Sequence, residues 1–190
     1  MDKPQIESKS FPVFVIGSFV AYALLVTGFF VPYWIGNDTL GVYNGLWFVR
    51  ICTPQDCQNL WYINHADRTP EVDRWDVVRA FETLAVIAGV FSLVFGVLMI
   101  TMRRKTSTSR HVTQGLFFAT SLLAGLMAVV GVLVFIATVT RTEMMWAPSL
   151  PALGGLLFFM CGVFTLVICR YDPHDTPDGT PTYVMGQTSF

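Results

Sequence analysis

Four long apolar stretches constrain the fold of this chain more than any other feature of its sequence. They run over residues 11–34, 81–102, 112–139 and 147–169, and each has at least the roughly 20 residues that a helix needs to cross a bilayer. A charge at a helix centre costs about 2.5–3.5 kcal/mol on insertion scales, and the one charge within these stretches, Glu82, comes near the start of the second. The first stretch is longer than a signal-peptide core and no small-residue cleavage site follows it. The sequence therefore predicts four transmembrane helices, the first of them uncleaved.

Composition excludes several classes of function. Hydrophobic residues make up 53% of the chain and charged residues 13%, about half the charged fraction of a soluble domain. Twelve Lys and Arg against thirteen Asp and Glu leave no basic excess for a nucleic acid. His65, His111 and His174 fall in three different segments, so we expect no catalytic site, metal site or cofactor. An integral membrane protein, in contact with the lipid bilayer, is the remaining class.

Positive charge predicts the orientation. Arg103, Arg104, Lys105 and Arg110 lie between the second and third stretches without any acidic residue. By the positive-inside rule, residues 1–10, the loop 103–111 and the tail 170–190 are expected in the cytosol. Residues 35–80 and 140–146 are then extracellular. Aromatic residues mark the expected membrane boundaries: Tyr33, Trp34, Trp75, Trp146 and Tyr171.

The first extracellular segment is expected to contain a small sheet. Residues 39–43, 46–51 and 60–64 are short and rich in β-branched and aromatic residues, which favours strands. Cys52 and Cys57 are predicted to form a disulfide, because they lie in an oxidising compartment. A zinc site is disfavoured, since no His or second cysteine pair lies near them. Arg79 and Glu82 are expected to pair with each other or with the extracellular segment.

The spacing of several residues in this segment resembles a family signature. Trp34, Gly45-Leu46-Trp47, Cys52, Cys57 and Arg79 are similar to the W–GLW–C–C pattern and following Arg of the claudin, peripheral myelin protein, epithelial membrane protein and lens membrane protein superfamily. Claudins generally have two residues between the GLW Trp and the first Cys, and eight or more between the cysteines. Here both gaps are four residues, so claudin charge-selectivity residues cannot be transferred by position.

The resemblance implies an all-α membrane protein, a left-handed bundle of four transmembrane helices with a small extracellular antiparallel β-sheet. In such a fold the GLW residues anchor the sheet on the bundle, and the disulfide fixes two strands. Trp47 is expected to supply most of that anchor and Leu46 part of its packing. Trp34 is expected to act at the lipid interface, where Tyr33 partly replaces it, so Trp34→Ala should be milder than Trp47→Ala.

Four short motifs suggest modification or binding. Asn37-Asp38-Thr39 is an N-glycosylation sequon, and the peripheral myelin branch resembles this chain in having a glycan after the same Trp. The C-terminal Thr188, Ser189 and Phe190 resemble a class I PDZ ligand, which implies PDZ scaffold partners. Cys169 is either a palmitoylation site or a buried or lipid-facing thiol. Thr106 and Ser107 follow three basic residues and suit a basophilic kinase.

Two classes of function remain. The first is a cell–cell junction protein that self-associates in cis and in trans to give adhesion or a paracellular barrier. The second is an auxiliary subunit or membrane organiser beside an ion channel or receptor. Met144, Met145 and Trp146 are expected to form an exposed apolar contact tip suited to either class.

Overall fold

Four α-helices and a small sheet make up the computed structural model, which describes residues 7–37, 40–53, 55–61, 70–101, 107–139 and 144–170. Helix α1 spans Glu7–Phe30, α2 Pro70–Thr101, α3 Ser107–Thr138 and α4 Ser149–Arg170. Each helix contains an apolar window long enough to cross a membrane: Val13–Phe30, Trp75–Thr101, Val112–Thr138 and Ser149–Val167. The prediction of four such helices is confirmed.

Helix α2 begins at Pro70 rather than at the predicted residue 81. Proline is favoured in the first turn of a helix, where its missing N–H has no helical partner. Glu71 and Asp73 follow it, and acidic residues are stabilised by the partial positive charge at a helix N-terminus. The hydropathy of the sequence detects only the apolar part of α2, from residue 81 onward. The proline and the acidic residues explain why the helix begins about three turns earlier, in a polar segment.

The helices form a ring in which α1 packs on α4, α4 on α3 and α3 on α2, while the α1–α2 contact is smaller. Small side chains fill most of the centre, which lets the helix backbones approach closely. Alanines from α1, α2 and α3 surround one large ring, Phe158 of α4. The α3 and α4 backbones approach most closely at Gly125 and Gly155, where a Cβ on Gly125 would lie 2.7 Å from the Gly155 oxygen.

The sheet has four antiparallel strands in the order β1-β2-β3-β4. They span Ile35–Asn37, Val42–Asn44, Phe48–Cys52 and Cys57–Trp61. The predicted antiparallel sheet is thus confirmed, but its strand limits differ. Strand β1 was not predicted, because its Ile-Gly-Asn sequence has weak β-propensity. The last strand begins at Cys57 rather than at residue 60, and residues 62–64 lie outside the described part of the chain.

The segment before α4 extends the sheet beyond β1. Met144 forms an isolated antiparallel bridge with Ile35. The backbone N–H of Met145 donates to the carbonyl of Trp34 at 3.1 Å, and that of Ala147 donates to Tyr33 at 3.1 Å. The connections after α1 and before α4 are therefore fixed to each other, which holds the sheet at one end of the bundle.

Candidate functional site

The base of the sheet rests on a cluster of buried side chains, which we call the seat. It brings together residues of α1, α2 and α3 with residues of the segments that follow α1 and precede α4. Its buried members are Phe29, Trp34, Leu46, Val78, Val132, Phe135 and Ala147. Because a short sheet is marginally stable by itself, burial of these side chains is what fixes the sheet to the helices.

Trp34 is at the centre of the seat. Its side chain is fully buried, its Nε1 donates to the Gly28 carbonyl at 2.8 Å, and its ring lies edge-on to Phe135 at 4.9 Å between centroids. The prediction that the Trp34 ring lies at the lipid interface is therefore wrong, because the ring is buried inside the protein. The chain turns at Pro32 after α1, and the turn directs Trp34 into the bundle instead of toward lipid.

Leu46 and Trp47 take different positions in the seat. Leu46 is fully buried, whereas Trp47 is half-buried and packs on Phe29 at 5.2 Å between ring centroids. The Nε1 of Trp47 is buried without a hydrogen-bond partner. Trp47 was expected to supply most of the anchor and Leu46 part of its packing, but the fully buried side chains of the signature are those of Leu46 and Trp34.

Gly45 and Arg79, two further residues of the signature, hold the turn between β2 and β3 against the helices. A Cβ on Gly45 would lie 2.8 Å from the Cα of Pro32 and 3.0 Å from the carbonyl oxygen of Val31, so only glycine fits this close approach. Arg79 donates from Nε to the Leu46 carbonyl at 2.6 Å and forms an ion pair with Asp76 at 2.8 Å. Its guanidinium lies 5.9 Å from the centre of the Trp47 ring. Arg79 thereby joins α2 to the turn that carries Leu46 and Trp47.

Glu82 lies one turn further along α2 and is fully buried. Neither of its carboxylate oxygens has a hydrogen-bond partner. Arg79 and Glu82 were expected to pair with each other or with the extracellular segment. Arg79 contacts the sheet segment, through the Leu46 carbonyl. Glu82 pairs with neither. The carboxylate sits where α3 has no side chain, at Gly131, since a Cβ there would lie 2.8 Å from Glu82 Oε1. Sequence spacing gives the α2 position of Glu82 but does not identify this neighbour on α3.

The β3–β4 hairpin projects away from the seat. Cys52 and Cys57 are opposite each other in the register and form a disulfide, as predicted. All five residues of β4 are exposed, and they include Leu60 and Trp61, which are 52% and 61% exposed. Trp61 was not singled out from the sequence, although a Trp at the end of an amphipathic strand is a detectable signal.

The expected contact tip is only partly exposed. Met144 and Met145 are half-buried, and Met144 packs against the seat. Trp146 is 53% exposed and stacks on Tyr33 at 5.6 Å between ring centroids. Met144 packs on the seat and Met145 packs against Gly36 of β1, so Trp146 is the most exposed of the three residues.

The remaining motif residues lie in separate segments of the chain. Asn37 is exposed at the end of β1, and its Oδ1 accepts a hydrogen bond from the Leu40 N–H at 3.3 Å. Ser107 begins α3 and Cys169 lies in the last turn of α4, with both side chains outside the described part. The sequon residues Asp38 and Thr39, the candidate phosphosite Thr106 and the C-terminal Thr188, Ser189 and Phe190 also lie outside it.

The fold agrees with a match to a known family. A family model described as PMP-22/EMP/MP20/Claudin matches residues 10–145, which include the signature, the sheet, α2 and α3. No curated protein matches the chain significantly. The match covers well over half of the sequence, and the four apolar helices and four-stranded sheet have the architecture that the resemblance implied. The chain therefore belongs to the PMP-22/EMP/MP20/Claudin family, a structural family of membrane proteins.

Proposed function

We propose that this protein acts at cell–cell contacts, where its sheet mediates adhesion or contributes to a paracellular barrier. In this role residues 1–10, 103–111 and 170–190 are cytosolic, and the sheet is extracellular. The basic loop between α2 and α3 supports that orientation. Self-association in the same membrane and across the two membranes would build the contact.

The observation that carries the proposal is the apolar surface of the β3–β4 hairpin. Ile51 and Leu60 lie on one face of the sheet and line a shallow groove with Thr53, Asp56 and Gln58. Ile51 is 37% exposed and Leu60 52%. Hydrophobic residues clustered on one face of an exposed hairpin are typical of a protein contact surface.

The test is the localisation of a tagged protein in mixed cultures of expressing and non-expressing cells. We expect enrichment at borders only where both neighbours express the protein. Leu60→Ser should reduce that enrichment, because it removes apolar contact area. The same change at Leu40, which is 69% exposed and lies outside that groove, is the matched control and should leave the enrichment unchanged. Equal enrichment at borders with non-expressing cells would contradict adhesion between copies.

The second candidate is an auxiliary subunit of a channel or receptor. Trp146 favours it, because this exposed ring lies close to the start of α4 rather than at the end of the hairpin. A lateral partner in the same membrane would contact such a position. Co-purification of a channel or receptor that Trp146→Ala abolishes and Leu60→Ser preserves would favour this function over adhesion.

Asn37 glycosylation belongs to the same proposal, because it requires an extracellular sheet. The exposed position of Asn37 at the end of β1 supports it. We expect a glycosidase-sensitive mass increase that Asn37→Gln and Thr39→Ala both remove. If both variants and the wild type migrate identically before and after glycosidase treatment, the site is not used.

A further inference from the structure

Arg50, in the middle of β3, has an incomplete set of partners. The residue is half-buried, and its Nη1 donates to the Tyr33 hydroxyl at 3.2 Å. Its Nε is buried without a hydrogen-bond partner. Among the residues that the structure describes, Arg79 and Asp76 form an ion pair, whereas no acidic side chain forms one with Arg50. A guanidinium remains charged in proteins and has five donors. Because the side chain is only half-buried, its Nη donors, rather than the buried Nε, are the groups that suit this position to an external anion.

Polar and aromatic side chains surround this guanidinium. Tyr43 and Asn59 are the cross-strand partners of Arg50 on its two sides, and directly opposite residues project from the same face. Tyr33 contacts Tyr43 at 5.2 Å and Trp146 at 5.6 Å between ring centroids. We call these five residues, Tyr33, Tyr43, Arg50, Asn59 and Trp146, the Arg50 site.

The Arg50 site lies next to the ends of two membrane-spanning helices. Tyr33 follows the end of α1 at Phe30 by three residues, and Trp146 precedes the start of α4 at Ser149 by three. Three extended residues reach at most about 11 Å, and the headgroup layer is about 5–8 Å thick on each side of a bilayer. Tyr and Trp are enriched at this level. The guanidinium, bonded to Tyr33, is therefore in reach of lipid headgroups.

We propose that the Arg50 site binds the phosphodiester of a phospholipid headgroup. The Arg50 donors form charge-assisted hydrogen bonds to the phosphate oxygens, and the Asn59 amide supplies a further donor. The exposed Trp146 ring, backed by Tyr33, packs against the rest of the headgroup. The phosphodiester is the anion present at high density at this level, and a single bound lipid would fix the sheet relative to the bilayer. This site is on the sheet face opposite Ile51 and Leu60, so it does not depend on the proposed adhesion.

The proposal can be tested by native mass spectrometry of the full chain in a neutral detergent. The probes are phosphatidylcholine and phosphatidylglycerol, a galactosyl diacylglycerol that lacks phosphate, and inorganic phosphate as a competitor. We expect one tightly bound phospholipid and no comparable galactolipid binding. Arg50→Gln should weaken phospholipid binding by about tenfold or more, since it removes charge-assisted hydrogen bonds. Arg50→Lys should retain much of the affinity.

A matched pair in β4 separates the site from general effects on the sheet. Asn59 and Gln58 are exposed neighbours on opposite faces of the strand. Asn59→Ala should weaken phospholipid binding severalfold, whereas Gln58→Ala should leave it unchanged. This pair decides the proposal even if Arg50→Gln fails to form the Cys52–Cys57 disulfide and is discarded as misfolded.

Several results would overturn the assignment. Equal phospholipid affinity for wild type, Arg50→Gln and Asn59→Ala excludes the site. Equal binding of the galactolipid excludes phosphate recognition, and displacement of the lipid by millimolar inorganic phosphate assigns the site to a soluble anion. Loss of a dimer in Arg50→Gln, without loss of lipid, identifies the anion as a carboxylate of a second copy.

Discussion

At the residue scale, two tryptophans of the signature differ in how their indole N–H groups are satisfied. The Nε1 of Trp34 has a carbonyl acceptor on Gly28, and the Nε1 of Trp47 is buried with none. A hydrogen bond contributes about 0.5–1.5 kcal/mol to the free energy of unfolding, and a buried donor without an acceptor lowers that free energy by about 1–3 kcal/mol. The same substitution therefore has different consequences at the two positions.

Replacement of each ring by Phe should separate these contributions. Trp34→Phe loses both the hydrogen bond and packing against Phe135, and we expect it to lower the unfolding free energy by about 2 kcal/mol. Trp47→Phe loses packing but also removes an unmet donor, so its effect should be close to zero. Thermal unfolding in detergent, with intrinsic fluorescence as the readout, measures both. A larger loss for Trp47→Phe would contradict the placement of the two rings.

Truncation to Ala extends the same comparison. Full removal of a buried aromatic ring costs about 3–5 kcal/mol, and Trp34 is fully buried whereas Trp47 is half-buried. We expect Trp34→Ala to be the more damaging variant, with normal membrane insertion but faster turnover. Surface biotinylation and pulse-chase of both variants test the order, which is the reverse of the order expected from the sequence.

Glu82 and Gly131 form a second residue-scale pair. Gly131→Ala places a methyl group 2.8 Å from Glu82 Oε1 and 3.2 Å from the Cβ of Phe81, so we expect destabilisation. Glu82→Ala vacates that space, and the double variant should recover part of the loss. The coupling energy for such contacting residues is about 0.5–3 kcal/mol. Strict additivity of the two single variants in a thermal-unfolding cycle would contradict the contact.

At the element scale, the β3–β4 hairpin depends on its disulfide. Strand β4 is exposed at all five residues and is held by its pairing with β3, the disulfide and a contact between the rings of Phe48 and Trp61. Closing so short a loop contributes about 2 kcal/mol in the chain-entropy model. This contribution acts on one hairpin, and β1 is supported separately by the packing of Ile35 on the seat.

We therefore expect a local effect from the double variant Cys52→Ser/Cys57→Ser. Amide hydrogen exchange should become faster in Cys57–Trp61 and remain unchanged in the helices. Mass spectrometry of the non-reduced wild type should find both thiols oxidised. Unchanged protection of β4 in the double variant would mean that strand pairing alone holds the hairpin.

At the scale of the whole molecule, the sheet lies between the first and second membrane-spanning helices in sequence, and the proposed PDZ ligand follows the fourth. The ligand Thr188–Phe190 follows the last transmembrane helix, and its binding needs only a free C-terminal strand. We expect that deletion of these three residues abolishes pull-down of PDZ scaffolds and leaves insertion and the disulfide intact. Ser189→Ala is the matched control, since the recognised side chains are those of Thr188 and Phe190. Unchanged pull-down after the deletion would exclude the ligand.

The sequence by itself determined the four apolar helices, the disulfide hairpin and the residues of the family signature. These are properties of single segments, because a helix must match the bilayer in length and two nearby cysteines need only a short turn. The tertiary structure decided which signature residues are buried, the isolation of Glu82 beside Gly131 and the contact of Met145 with Gly36. Each of these depends on contacts between segments far apart in the chain, such as Trp34 with Phe135 and Gly36 with Met145. Periodicity and composition indicate which face of one segment is buried and which faces water or lipid. They do not indicate which residues of distant segments pack against the buried face.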